Sequence, residues 1–232
     1  EEYSVSINTI TAAAWASGGN LPTAKMSLGS TVPGTQNDTT VFGGRSAPTT
    51  LNNATFEYDG SSWSSGGALN TSRVELGGSG TTPAGLAFGG TTSTQPGTPG
   101  TTGASEEYNG TSWTNSNSMN TARRNVYGSG TQTASITAAG LTNPAADSNN
   151  SEEYDGTSWT AGNTLNTARR GAALCGTQTA NLIQGGGNPV ASKTTAEEYD
   201  GTNWSNAGVR ITGARDPSAF GTQTAALGCG GY

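Results

Sequence analysis

Histidine is missing from this 232-residue chain. The absence removes the commonest general base at neutral pH and the commonest metal ligand together. Only two cysteines are present, Cys175 and Cys229, so tetrahedral zinc sites and histidine-dependent triads are excluded as well. Two cysteines are also too few for a disulfide framework, and both are expected as buried free thiols. Acidic calcium loops of the DxDxDG kind are absent. No catalytic residue, metal site or cofactor is therefore expected.

Charge is scarce too, at 11% of residues, with 16 acidic against 10 basic side chains. A weakly acidic chain lacks the broadly basic surface of non-specific nucleic-acid binders, so no nucleic-acid partner is expected. No apolar run approaches the roughly 18–20 residues of a bilayer-spanning helix, and no membrane insertion is expected. Apolar residues nowhere recur with the helical 3.6 period. The chain starts at Glu1 with no charged-then-apolar leader, which reads as a processed or excised part of something longer.

What is abundant is glycine, 36 residues, among crowds of Thr, Ser, Asn and Ala that favour turns and short strands. These residues are ordered by a repeat. Tryptophans fall at Trp15, Trp63, Trp113, Trp159 and Trp204, spaced by 48, 50, 46 and 45 residues. The last four follow Tyr58, Tyr108, Tyr154 and Tyr199 by five residues. Seventeen residues beyond each of these four stands a glycine, and three of those glycines open the string GTQT. In the first repeat Gly34 opens the related GTQN after a two-residue insertion, and nine residues beyond each of the five glycines comes a doublet, Gly-Gly in four repeats and Ala139-Gly140 in the other.

Each repeat reads as four short strands, and residues 171–209 show the pattern. Residues 171–176 and 180–186 are the first two strands, 196–199 is the third, Asp200-Gly201 is a hairpin turn, and the fourth begins near Trp204. Four strands per 45–50 residues in tandem is the signature of a β-propeller blade. The expected fold is all-β: a single five-bladed propeller of four antiparallel strands per blade. The blades cover approximately 21–70, 71–120, 121–166, 167–209, and 210–232 joined with 1–20. In this two-plus-two closure both termini complete the last blade, because the chain begins with the third-strand motif Glu1-Glu2-Tyr3 and ends at the doublet Gly230-Gly231. The Tyr and Trp residues are expected as wedges between blades, since cores built from small residues need their area.

A glycine doublet, then tyrosine, tryptophan and an arginine before the next apolar strand resembles the kelch repeat over essentially the whole chain. It departs from kelch in its shorter Tyr-to-Trp interval and in Ala139. The wording EEYDGTSWT…LNTARR…GTQTAAL also resembles tandem repeats of predicted marine bacteriophage structural and tail proteins. That resemblance implies a module of a viral or phage surface assembly, on a virion or extracellular surface.

The function-bearing positions are the ones where the repeats diverge. Seven of the ten basic residues lie ten or eleven residues after a Trp: Lys25, Arg73, Arg123, Arg124, Arg169, Arg170 and Arg215. That places them at the entry to the innermost strand, on the face that also carries the variable loops 45–54, 91–104, 141–150 and 187–196. Adjacent arginines on a strand point opposite ways, so one of each pair can be structural while the other meets a ligand. Arg73, Arg124, Arg170 and Arg215 are the candidates, suited to sugar carboxylates or sulfates. The paired glutamates, such as Glu106-Glu107 and Glu152-Glu153, are expected in structural ion pairs rather than in glycoside hydrolysis. Non-enzymatic binding of a glycan or protein partner by a monomeric module is expected. A purely structural decoration domain or an engineered repeat scaffold is the alternative.

Overall fold

A computed structural model describes residues 18–47, 49–94, 100–188 and 191–232. Alternating small and apolar residues between glycine turns give strands throughout, and there is no helix among the described residues. The first repeat holds β1 (Gly29–Ser30) and β2 (Thr39–Phe42), a small hairpin β3 (Arg45–Ala47) and β4 (Thr50–Leu51), then β5 (Thr55–Tyr58) and β6 (Trp63–Gly66). The second holds β7 (Gly77–Thr81), β8 (Ala84–Phe88), β9 (Ser105–Tyr108) and β10 (Trp113–Ser116). The third holds β11 (Tyr127–Thr131), β12 (Ala134–Ala138), β13 (Ser151–Tyr154) and β14 (Trp159–Ala161). The fourth holds β15 (Ala173–Gly176) and β16 (Asn181–Gln184), a hairpin β17 (Gly187–Asn188) and β18 (Ala191–Ser192), then β19 (Thr195–Tyr199) and β20 (Trp204–Val209). Finally β21 (Ser218–Gly221) pairs with β22 (Ala226–Cys229).

The result among the described residues is four four-stranded antiparallel sheets in simple meander order and three two-stranded ones, the side hairpins β3–β4 and β17–β18 and the pair β21–β22. The first strand of each repeat lies beside the first strand of the next, running β1, β7, β11, β15, β21. The expected contributions of Glu1, Glu2, Tyr3 and Trp15 lie outside the described residues.

Three apolar seams fill the spaces between consecutive sheets. Phe42, Leu76, Tyr108 and Trp113 pack in the first, Phe88, Val126, Tyr154 and Trp159 in the second, and Ile136, Leu174, Tyr199 and Trp204 in the third. Trp113, Trp159 and Trp204 are buried between these sheets. Trp113 donates its indole N–H to Thr55 Oγ1 of the sheet before it at 2.9 Å, and Trp159 does the same to Ser105 Oγ at 2.9 Å. Phe42 and Phe88 meet these indoles edge-on at 4.9 and 5.0 Å. Trp63 is only half-buried.

Polar residues do as much of the joining as apolar ones. Tyr108 donates its hydroxyl to Glu57 of the preceding sheet at 2.5 Å, and Tyr154 and Tyr199 repeat the bond to Glu107 and Glu153. The glutamine of GTQT is a staple: Gln132 Nε2 donates to the carbonyls of Gly85 and Tyr108, one sheet back, at 2.9 and 2.8 Å. Gln178 and Gln223 make the same pair of bonds one and two repeats later.

The first glutamate of each pair is buried against an arginine. Arg73 meets Glu106 at 2.8 Å, Arg123 meets Glu152 at 2.9 Å and Arg169 meets Glu197 at 2.7 Å, with all three arginines fully buried. Nη1 of each guanidinium donates to two backbone carbonyls, as when Arg123 Nη1 donates to Ala139 and Asn150, while Nε of Arg73 and of Arg123 is buried without a partner among the described residues. The second carboxylate oxygen accepts the backbone N–H of the crossover asparagine: Asn70, Asn120 or Asn166. Neighbouring arginines therefore differ sharply, because Arg124 is part-exposed in its pair with Glu75. Arg123→Ala should cost about 3–5 kcal/mol by stranding a buried carboxylate. Arg124→Ala should cost no more than about 1 kcal/mol. Denaturant titration of the two variants checks the contrast.

Candidate functional site

The residue twelve places after each tryptophan has left-handed backbone: Ser27, Glu75, Asn125, Gly171 and Asp216, with φ between 52° and 58°. Glycine, Asn and Asp tolerate this conformation best, and three of the five positions hold them. The turn points each N–H at the carbonyl of its counterpart one repeat earlier. Glu75 donates to Ser27 at 3.0 Å, Asn125 to Glu75 at 2.8 Å, Gly171 to Asn125 at 3.4 Å and Asp216 to Gly171 at 2.9 Å. Hydrogen bonds thus run from repeat to repeat along the entries of the first strands. The second glycine of the first four doublets adds a parallel tie, with Gly90 N–H donating to Arg123 O and Gly140 to Arg169 O. Ala139 keeps the doublet's geometry at φ 68°, against 64° for Gly89 and 66° for Gly185.

Around this row lies a cavity of about 580 Å³ to which all five repeats contribute. Ser27 and Arg45 come from the first repeat, Glu75 from the second, Arg124 and Tyr127 from the third, Arg170 from the fourth, and Arg215, Asp216 and Tyr232 from the fifth. Leu28, Leu76, Val126 and Leu141 supply apolar wall. The volume is that of an ordinary small-ligand site. Because the cavity sits where first strands begin, it shares its side of the molecule with the variable connections between second and third strands.

Arg124, Arg170 and Arg215 all line the cavity, as their position after tryptophan predicts. Arg73 does not. It stands ten residues after its tryptophan, not eleven, and its fully buried guanidinium is taken up by Glu106 and the carbonyls of Gly89 and Ala104. Val74 occupies the eleventh place in that repeat and is buried. Arg73 thus belongs with the structural arginines Arg123 and Arg169. Cysteine placement is corrected in one case: Cys175 is buried and Cys229 is exposed, both as free thiols. Cys229 lies on β22, whose outer edge has no partner strand among the described residues.

The cavity's three arginines are held differently. Arg124 Nη1 is tied to Glu75 at 2.7 Å. Arg170 touches Asp147 through Nε at 3.4 Å, and Arg215 touches Asp216 through Nε at 3.5 Å. Arg215 also lies over the Tyr232 ring, 4.3 Å from its centre, and the two residues exchange backbone hydrogen bonds. Tyr127, Tyr232, Glu75 and Asp216 were not singled out by sequence reading. The left-handed position and its Ser, Glu, Asn, Gly and Asp occupants were the available signal.

On the other side, the hairpin aspartates are turn residues. The backbone N–H of Ser62 holds the Asp59 carboxyl well below the usual carboxylate range, and Ser158 and Asn203 do the same for Asp155 and Asp200. No cluster of metal-ligating residues occurs among the described residues.

No family model and no curated protein matches the chain. Among similar solved structures is one described as "Structure of YjhT", with a TM-score of 0.69 at 13% identity. The match covers 90% of this chain and 73% of that one. At that identity the likeness is one of fold: a shared path through repeated antiparallel sheets.

Burial pushes the Tyr127 hydroxyl up to about 12, helped by the nearby Asp216 and Glu75 carboxylates. Tyr108 and Tyr154 are likewise pushed up to about 12, by burial and then by Glu57 and Glu107. An unfolded tyrosine titrates near about 10, so above that pH the unfolded chain releases protons that the folded one keeps. Stability should hold up to about pH 10 and fall as the pH rises through about 12. Denaturation midpoints across that window, compared with Tyr108→Phe and Tyr127→Phe, should show the loss shrinking in each variant.

Proposed function

We propose that the chain is a non-enzymatic recognition module whose five repeats form a closed five-bladed β-propeller of the kelch type. Residues 1–20 complete the fifth blade in this reading, with Glu1-Glu2-Tyr3 as its third strand. Two observations support the closure. β22 has an unpaired outer edge among the described residues, and Leu227 on it is 57% exposed while its counterparts Leu86 and Ile136 are at 0% and Leu182 is half-buried. An apolar edge of this kind is a template that a further strand covers.

The observation that carries the function is the cavity to which every repeat contributes, set on the side with the variable loops. A fixed scaffold displaying loops of differing sequence around a charged concavity is the general layout of a binding surface. A glycan or a protein surface is the ligand class this layout serves, in a surface assembly such as a virion or tail structure. Histidine-free chemistry and structurally engaged glutamates favour binding over turnover. A decoration domain without ligand is the competing reading, favoured by the small share of charge and the near-identity of the repeats.

Two measurements test these points. Glycan-array screening of the purified protein should return at least one ligand, whose binding falls when the loops at 141–150 and 187–196 are replaced by Gly-Ser. A blank array would favour the decoration domain. For closure, Leu227→Ala should lower stability by about 2 kcal/mol or more if a strand covers it. A change within about 0.5 kcal/mol would leave that edge open.

A further inference from the structure

The cavity's arginines are not equivalent, and the difference points to a ligand. Arg124 is neutralised end-on by Glu75. Arg170 and Arg215 each form an ion pair with an aspartate on the Nε side, at 3.4 and 3.5 Å, and both side chains are about four-fifths shielded from solvent, with Arg215 Nε making no hydrogen bond among the described residues. No hydrogen bond is made by the terminal nitrogens of either among the described residues, so both guanidinium forks are open. Their repeats are neighbours, joined by the Asp216 N–H···O=C Gly171 bond at 2.9 Å. The glycine at 171 leaves room for the Asp216 carboxylate. A Cβ there would come within 2.2 Å of Asp216 Oδ1, displacing the carboxylate that braces Arg215. Stacking on Tyr232 fixes the plane of the Arg215 fork. The wall nearby combines Tyr127 with Leu141 and Val126.

Charge argues the same way. The protein carries a formal charge of −6, yet the cavity gathers Arg124, Arg170 and Arg215 in one place, with Glu75, Asp147 and Asp216 beside them. A concentration of guanidinium groups on an acidic protein attracts anions locally. Forks braced from behind are geometrically matched to oxyanions, which accept two parallel N–H bonds.

We propose that Arg170 and Arg215 form an oxyanion site for the carboxylate or sulfate ester of an acidic sugar. The pyranose ring rests against the Tyr127, Val126 and Leu141 wall while the anionic group bridges the two forks. Arg124, occupied by Glu75, takes no part in holding the anion. The proposal rests on the loop-side recognition reading and specifies its ligand chemistry.

Titration calorimetry of the full chain with galacturonate, galactose 6-sulfate, galactose and inorganic sulfate tests it. The two acidic sugars should bind at least about tenfold more tightly than galactose, since each charge-assisted contact is worth about a factor of ten. Added sodium chloride should weaken both. Arg170→Gln with Arg215→Gln should reduce binding of the acidic sugars by about tenfold or more, with thermal melting confirming the fold. Arg170→Lys, which keeps the charge without the fork, should fall between. Arg210→Gln, away from the cavity, should bind like the wild type. Equal binding of galactose, or no loss in the double variant, overturns the site. Inorganic sulfate binding as tightly as either sugar overturns the sugar assignment. An array hit indifferent to the double variant removes the oxyanion site and leaves the recognition reading standing. Acidic-sugar binding confined to the arginine pair, unaffected by the loop replacements, sustains the site and removes the role of the loops.

Discussion

Everything in this fold turns on a buried guanidinium at the point where the chain crosses from one sheet to the next. Arg73, Arg123 and Arg169 each bind two carbonyls and a carboxylate, and that carboxylate in turn holds the crossover asparagine. Four segments distant along the chain are joined by one side chain. In a sequence with so few large apolar residues, such a junction fixes where each sheet begins in a way that alanine and glycine packing does not. Buried ion pairs add little net stability over an apolar substitute, but breaking one is costly. Their main effect here is positional.

The outer repeats show what replaces the junction when it is absent. In the first repeat Lys25 takes the arginine's place and Phe56 the glutamate's. The ammonium reaches Asn52 Oδ1 at 2.8 Å and lies 4.8 Å from the Phe56 ring centre. In the fifth, Ala214 stands where arginine is expected, and Ile211 where the crossover asparagine is, with Ile211 fully exposed. The three middle repeats are near copies of one another, while those at either end have diverged at the same joint.

Much of this was readable from the sequence because the repeats superimpose. The Trp, Tyr and glycine positions gave strand order, turns and wedges, and the double arginines suggested one inward and one outward partner. The misplacement of Arg73 has a specific cause. Where a repeat has a single arginine, composition does not say which of the two places it fills, and only the count from Trp63 separates them. Gln132, Gln178 and Gln223 were legible as a pattern but not as staples, because their partners lie one sheet back. The cavity's Tyr127 and Tyr232 occur once each, so no repetition marks them. Chemistry that is not repeated is invisible to a reading built on repeats.

The left-handed row has a consequence for divergence. At most positions of a repeat, a side chain is fixed by what it packs against. At the row, the backbone alone makes the joint, through an N–H and a carbonyl that every residue but proline supplies. Its five occupants are accordingly as unlike as serine, glutamate, asparagine, glycine and aspartate. Copies of one unit therefore acquire different chemistries there while keeping the same backbone bond, and the row of slots can be rewritten one letter at a time.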